Sequence, residues 1–386
     1  MNRLLTAVVS LVGLSAVALA QETSLRQYPY LYKSPRAMGM GGAYVAVGGK
    51  TDSVFYNPAG LSKMPVKNFE VNLINLSAGI GKNVLDFAQD LQDAFDVGDR
   101  NRDGDETDDQ LREVNRILKK YRGEPMHLEL SDWSSIGRNQ GNWAFTLGGV
   151  ARVRMDAVPH QGFGSNGFLE VDADITGGGV FGLSFKVADG LFLGGSVKAL
   201  RREAIKHSFT AAEIVENQDN LEDYITEELR KSGNAVSGDV GIIYAFAQKS
   251  FLRPAIGASV MNIGDLDFKK AGKIPMTVNI GFSVNPKIPV FHSLILAADY
   301  IDLTQQYKED KDKGKRIRLG GELQLINRWW LQLALRAGIY QGYPTYGAEI
   351  GSMLFNLSYV SYAEEVGAYA GQKKDRRHLI TLNIGW

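Results

Sequence analysis

His378-Leu379-Ile380-Thr381-Leu382-Asn383-Ile384-Gly385-Trp386 sets apolar side chains at Ile380, Leu382, Ile384 and Trp386 and polar or small ones at Thr381, Asn383 and Gly385. Alternation with a period of two is the signature of a strand with one oily and one wet face. In a soluble sandwich the oily face lies in a core. In a transmembrane barrel it faces lipid, with an aromatic residue at the interface and a polar lumen behind. In the barrel reading Ile380, Leu382, Ile384 and Trp386 form the C-terminal assembly strand, the segment offered to the barrel-assembly machinery.

The same period recurs elsewhere. Val278, Ile280, Phe282 and Val284 alternate with Thr277, Asn279, Gly281 and Ser283, while Ile317, Leu319, Leu323 and Leu325 alternate with Arg318, Gly320, Glu322 and Gln324. Following the pattern predicts fourteen strands at 67–80, 126–137, 142–154, 178–188, 191–206, 235–247, 252–263, 274–285, 291–303, 315–327, 329–340, 344–351, 353–362 and 378–386. The connections then sort into short ones, such as 189–190 and 327–328, and long ones at 81–125, 155–177, 207–234, 264–273, 304–314 and 363–377. Short turns on one side and long loops on the other are the habit of outer-membrane barrels, and a sandwich has no reason to share it. The expected fold class is therefore all-β, a transmembrane antiparallel β-barrel of about 14 strands.

The N-terminus agrees. Residues 1–20 read as a signal peptide: Arg3, an apolar run from Leu4 to Ala18, and Ala18-Leu19-Ala20 as a cleavage site, too short for a membrane anchor. Beyond it no run of 18 apolar residues occurs, while 43 glycines, 16 tyrosines and 17 phenylalanines suit many short strands. The absence of cysteine removes disulfides, thiolate catalysis and thiolate metal sites. Charge is balanced, with 43 basic and 43 acidic residues, so no global field argues for nucleic acid.

Between the signal and the first strand lie Ser34-Pro35-Arg36-Ala37-Met38-Gly39-Met40-Gly41-Gly42-Ala43-Tyr44-Val45-Ala46-Val47 and Phe55-Tyr56-Asn57-Pro58-Ala59-Gly60-Leu61. Glycines permit tight bends and close packing, and Asn57-Pro58 makes a turn. This stretch resembles the start of the FadL/TodX superfamily of outer-membrane proteins, in particular its PorV-like and TraF-like branches. The resemblance implies an N-terminal hatch at 21–66 inside a barrel formed by 67–386, with helical inserts at 81–125 and 207–234. Its motif maps onto Arg36, Met38, Gly39, Gly41, Gly42, Tyr56, Asn57 and Pro58. It implies either passive transport of hydrophobic or amphipathic small molecules, or a non-transporting scaffold that binds secreted or envelope proteins. Location in the outer membrane of a Gram-negative-type bacterium follows, with lipid and lipopolysaccharide as surroundings.

The first insert carries the one hint of metal chemistry. Val84, Phe87, Leu91 and Phe95, then Leu111, Val114, Leu118 and Tyr121, recur at helical spacing around Asp99-Arg100-Asn101-Arg102-Asp103-Gly104-Asp105. This run resembles an EF-hand or dockerin calcium loop, with Asp99, Asn101 and Asp103 at positions 1, 3 and 5; Asp105 and Asp109 complete the candidate set. Position 12 is Gln110 where a bidentate acid is needed, and a solvated acidic turn is the alternative. No cofactor is required, and calcium is the one left open. Leu221, Ile225 and Leu229 predict an amphipathic helix on the barrel mouth, and Lys373, Lys374, Arg376 and Arg377 a basic outer rim.

Catalysis finds no foothold. Five scattered histidines form no H-E-x-x-H pair, and no G-x-S-x-G occurs. Gly49-Lys50-Thr51 lacks the leading glycine of a phosphate loop, since position 44 is Tyr44, and Gly39-Met40-Gly41 lacks a dinucleotide turn's third glycine. The sequence therefore predicts a non-enzyme whose hatch moves about Gly39, Gly41, Gly42 and Asn57 to admit a hydrophobic small molecule caught under a helical cap.

Overall fold

The structure, a computed structural model, describes residues 27–98, 106–161, 167–216, 229–307 and 311–386. Fourteen antiparallel strands close into one barrel: β1 Phe69–Gly81, β2 Met126–Asn139, β3 Trp143–Gln161, β4 Gly167–Ala188, β5 Leu191–Thr210, β6 Lys231–Ala245, β7 Ala255–Ile263, β8 Thr277–Val284, β9 Ser293–Tyr300, β10 Ile317–Asn327, β11 Gln332–Tyr340, β12 Tyr343–Gly351, β13 Phe355–Glu365 and β14 Lys374–Gly385. Each pairs with its neighbours in the chain, and β14 returns to β1, with Leu382 opposite Leu76 and Ile384 opposite Ile74. No described helix is long and apolar enough to cross a membrane; the strands make the wall.

The alternation read in the sequence is the alternation of the wall. Ile380, Ile384, Leu319, Ile280 and Phe282 are exposed on its outside, while Thr381, Glu322, Arg318 and Asn279 are buried inside. At the short-turn edge Trp143, Phe185, Trp329, Trp330, Phe355 and Trp386 are exposed, forming the aromatic rim expected where a bilayer meets water.

The wall is uneven. Strands β8 and β9 have 8 residues each, about 26 Å along the strand, whereas β3, β4 and β5 have 19, 22 and 20. The expected loop at 155–177 is thus mostly strand. Its inward positions carry Arg154, Asp156, Asp172 and Asp174, with Arg154 opposite Asp174 and Asp156 opposite Asp172, so charge conceals the period.

The outward face of this tall section, at Met155, Ala157, Leu169, Val171 and Ala173, is apolar beyond the lipid-facing belt and needs a cover. Helices α2 Val84–Gly98, α3 Glu106–Lys120 and α4 Ala211–Glu216 supply it through Phe87, Leu91, Val114, Ile117, Leu118 and Ile214. The Phe87 and Tyr121 rings meet edge to face at 5.4 Å. The helices therefore stand beside the mouth on the outer wall, which corrects the expectation of a helical cap over the lumen. The second insert begins later than predicted, because β5 runs to Thr210. Positions 221 and 225 of the expected amphipathic helix lie outside the described residues; Leu229 packs against the helical cluster.

Candidate functional site

Residues 27–64 fill the lumen. Ser34 caps the short helix α1 Pro35–Gly39, and Pro35 occupies its first turn, where a missing N–H costs nothing. Gly41 and Gly42 then turn the chain at φ 62° and 79°, in left-handed backbone that glycine adopts readily. Two 3-10 turns follow, Thr51–Phe55 and Pro58–Lys63, the second capped by the Asn57 side chain.

Much of the wall receives this hatch backbone to backbone. A Cβ on Gly320 would lie 2.0 Å from the Met40 carbonyl oxygen, one on Gly257 2.6 Å from that of Val45, and one on Gly194 2.4 Å from the Ala59 nitrogen. Inward glycines on β10, β7 and β5 thus act as seats where another chain rests directly on the sheet. A Cβ on Gly41 would in turn come within 2.3 Å of the Leu319 oxygen.

Polar latches hold the seated segment. Arg36 makes a two-pronged pair with Glu322 at 2.7 and 2.8 Å; Arg336 bonds Glu322 and Glu349, each at 2.7 Å. Burial opposes the Arg36 charge, but Glu322, Tyr44 and Asp52 outweigh it and hold the guanidinium well above its ordinary pKa. Asp299 accepts the Tyr44 and Val45 amides at 2.5 and 2.8 Å. The Asn57 amide nitrogen lies 2.9 Å from the Val45 oxygen and 3.1 and 3.3 Å from those of Ile242 and Ala258 on the wall. Lys33 pairs with Glu364 beneath the Tyr30 and Tyr362 rings.

Near the β14–β1 closure the contacts change character. Asn72 donates to Thr51 and Ser135, each at 3.0 Å, Asn383 donates to Asn72 at 2.6 Å, and Asn75 donates to Tyr32 at 3.2 Å. A cavity of about 50 Å³ remains among Asn72, Asn75, Asn356, Ser358, Thr381 and Asn383.

Above the hatch, on the long-loop side, lies a chamber of about 560 Å³ walled by Arg152, Arg154, Asp172, Asp174, Arg202 and Lys206 and by the rings of Tyr28, Tyr30 and Tyr307. A second chamber, about 140 Å³, is more apolar than polar, with Leu31, Met38, Val45, Phe55, Met261 and Ile274 beside Lys33, Lys198 and Arg318. Tyr28, Pro29, Tyr30 and Pro275 line both. The extended segment 27–33, with Pro275, stands between a strongly charged chamber and a more apolar one.

The structure thus gathers the hatch motif in one place. Arg36 and Asn57 are latches; Met38 packs with Tyr340, Val360, Tyr362 and Leu379; Tyr56 accepts the Ser34 amide at 2.9 Å; Pro58 opens the second 3-10 turn. Gly39, Gly41, Gly42 and Asn57, expected as hinges, are points of contact with the wall, because the small side chains that would free a loop here let it touch. Of the calcium candidates, Asp99, Asn101, Asp103 and Asp105 lie outside the described residues. Asp109 pairs with Arg112 at 3.2 Å, and Gln110 donates to the Phe95 oxygen at 3.3 Å, tying α3 to α2. Among the described residues no group of three or more His, Asp or Glu is placed to hold a metal. The basic rim divides, because alternation turns Arg377 inward to Asp375 and Asp156 and leaves Arg376 outside.

Sequence reasoning missed the lumen ladder. Arg152 bonds Asp174 at 2.6 Å, Arg154 bonds Asp174 at 2.7 Å and Asp172 at 2.6 Å, and His127 meets Asp156 at 2.7 Å. Arg and Asp recurring at every second residue from 152 to 156, opposite apolar residues, was the available signal.

A closed barrel with an oily exterior, a polar interior and an internal hatch is a membrane-spanning β-barrel with a plugged lumen. Residues 54–331 match the family model "F plasmid transfer operon, TraF, protein", and the chain belongs to that family. No curated protein matches it in sequence. Among solved structures it is similar to the toluene transporter TbuX of Ralstonia pickettii, with TM-score 0.52 and 12% identity over 92% of this chain and 99% of that one. It is also similar to a deltaS2 mutant of the TodX monoaromatic hydrocarbon channel, with TM-score 0.54 and 11% identity over 91% and 98%. At such identities the likeness is one of fold.

Proposed function

We propose that the protein is a passive outer-membrane conduit for small hydrophobic or amphipathic molecules, gated by segment 27–33 of its hatch. The observation that carries this reading is the pair of chambers with a shared wall. Displacing Tyr28, Pro29 and Tyr30 joins them while the glycine-seated body of the hatch stays in place. A molecule entering from the long-loop side meets a strongly charged chamber first and a more apolar one second, an order suited to an amphipathic solute. No step calls for nucleotide. The fold shared with proteins described as a toluene transporter and a hydrocarbon channel supports the same reading.

The test is uptake of radiolabelled toluene by bacterial cells with an intact lipopolysaccharide leaflet. Expression of the protein should raise uptake, and Tyr30→Gly should raise it further. Ser62 and Ser184, whose hydroxyls lie 2.7 Å apart, offer a lock between hatch body and β4 in a chain without cysteine. Uptake should persist in the oxidised Ser62→Cys/Ser184→Cys variant. No uptake by either the native chain or Tyr30→Gly overturns the conduit; loss of uptake on oxidation overturns segment 27–33 as its gate.

A further inference from the structure

The connection between β7 and β8 lies on the long-loop side, yet it folds back into the lumen. At the end of β7 the chain turns through left-handed backbone at Asn262, Gly264 and Asp265, with φ 55°, 76° and 67°. Leu266–Asp267 then pairs with Lys273–Ile274 as a short hairpin. Its base is closed by Asp265, which pairs with Lys273 at 3.0 Å and accepts the Met276 amide at 2.8 Å. The hairpin has two faces. Leu266, Phe268, Ala271 and Ile274 are buried in one cluster with Leu31 and Tyr32 of the hatch and Leu200 and Ala235 of the wall, while Lys269, Lys270 and Lys273 are exposed.

The hairpin rests on the sheet as the hatch does. A Cβ on Gly233 of β6 would lie 1.7 Å from the Phe268 oxygen and 2.5 Å from its carbonyl carbon, so backbone meets backbone there. The Arg202 guanidinium covers the Phe268 ring at 4.2 Å. Seated in this way, the hairpin bounds both chambers. Asp265, Ala271, Gly272 and Lys273 line the charged one, Ile274 lines the more apolar one, and Pro275 lines both together with Tyr28, Pro29 and Tyr30.

A fixed wall beside a movable segment sets the width of what passes between them. The inner chamber measures about 140 Å³. An apolar cavity of about 150 Å³ is enough to hold one benzene ring. We infer that the hairpin at 264–276 is the size-selecting element of the route: seated on Gly233, it admits solutes with a body of one ring and holds back larger fused rings. This rests on the conduit reading and narrows its substrate class.

The experiment is uptake of radiolabelled toluene and phenanthrene by the same cells, with cells lacking the protein as the baseline. The native chain should raise toluene uptake and leave phenanthrene at the baseline. Two variants remove the hairpin from its seat. Gly233→Leu puts a side chain where the Phe268 carbonyl rests, and the other replaces residues 263–275 by Asn-Gly, a turn that joins two antiparallel strands directly. Each is first checked for a folded barrel by its fast mobility on a detergent gel. Either folded variant should raise phenanthrene uptake roughly ten-fold while toluene changes far less. Phenanthrene entering through the native chain, or excluded by both folded variants while toluene passes, overturns the hairpin as the filter and leaves the conduit standing. Absence of toluene uptake by the native chain and by every variant overturns both.

Discussion

The hatch meets the barrel wall in two different ways. Against β5, β7 and β10 its backbone sits on inward glycines, and nearby the Arg36–Glu322–Arg336–Glu349 chain crosses the boundary. Against β14, β1 and β2 it meets side-chain amides and hydroxyls, with the Glu70 carboxylate at Thr51, around a small cavity that Arg36 and Glu349 also line. The first contact fixes position, since a glycine seat tolerates no side chain and a buried charge tolerates no missing partner. The second holds through side-chain hydrogen bonds, among them those of Thr51 to Asn72, Ser135 and Glu70. The molecule thus holds its hatch by backbone fit on one side and by side-chain hydrogen bonds on the other.

The largest test of this difference is Gly320→Leu. Its Cβ alone would enter the space of the Met40 carbonyl, carbon and Cα, at 2.0 to 2.7 Å, so the hatch cannot remain seated. Purified variant in a planar bilayer should show large open-channel currents where the native barrel is closed. A closed variant would show that the seat is dispensable. Next in size is Arg36→Ala, which strips Glu322 of one of two buried partners and should cost about 3 kcal/mol. Asn72→Ala, across the lumen, should cost about 1 kcal/mol. The two are compared by the temperature at which each folded barrel loses its fast mobility on a detergent gel, and equal shifts would erase the distinction. The last effect is one of pH. Burial, aided by Arg36, pulls Lys63 down to about 8, while its ammonium donates to the Ala46 oxygen at 2.8 Å. The unfolded chain, with an ordinary lysine near 10.4, binds more protons between these values, so stability should rise from pH 8 to about 10.5. Lys63→Met should flatten that slope, and an unchanged slope would assign it elsewhere.

How much of this was legible depends on which face a residue serves. The lipid-facing residues announced themselves, because oil outside and polar groups inside leave a period of two, and all fourteen strands lay near their expected places. The period failed where a second layer intervened. Met155, Val171 and Ala173 point outward like lipid-facing residues but lie under α2, α3 and α4, and Arg154 and Asp172 gave the segment the look of a loop. The hatch motif was visible as a motif, but its mechanics were not. Gly41 reads as freedom in a sequence and proves a point of contact, because a missing side chain serves a bend and a close approach equally well. The upper chamber as a whole was not legible, since Tyr28 of the hatch and Arg152 of β3 are 124 positions apart and meet only where the hatch sits inside the closed barrel.

The β14–β1 closure bears on how the molecule is made. Asn72 pairs with Gly385 across 313 positions of chain, so this join carries the greatest loop-closure entropy of any strand pairing in the barrel. A hatch seated on backbone cannot be threaded into a finished ring of that fit. It must be laid down while the sheet is still an open sheath, and the final seam then seals a cargo already aboard.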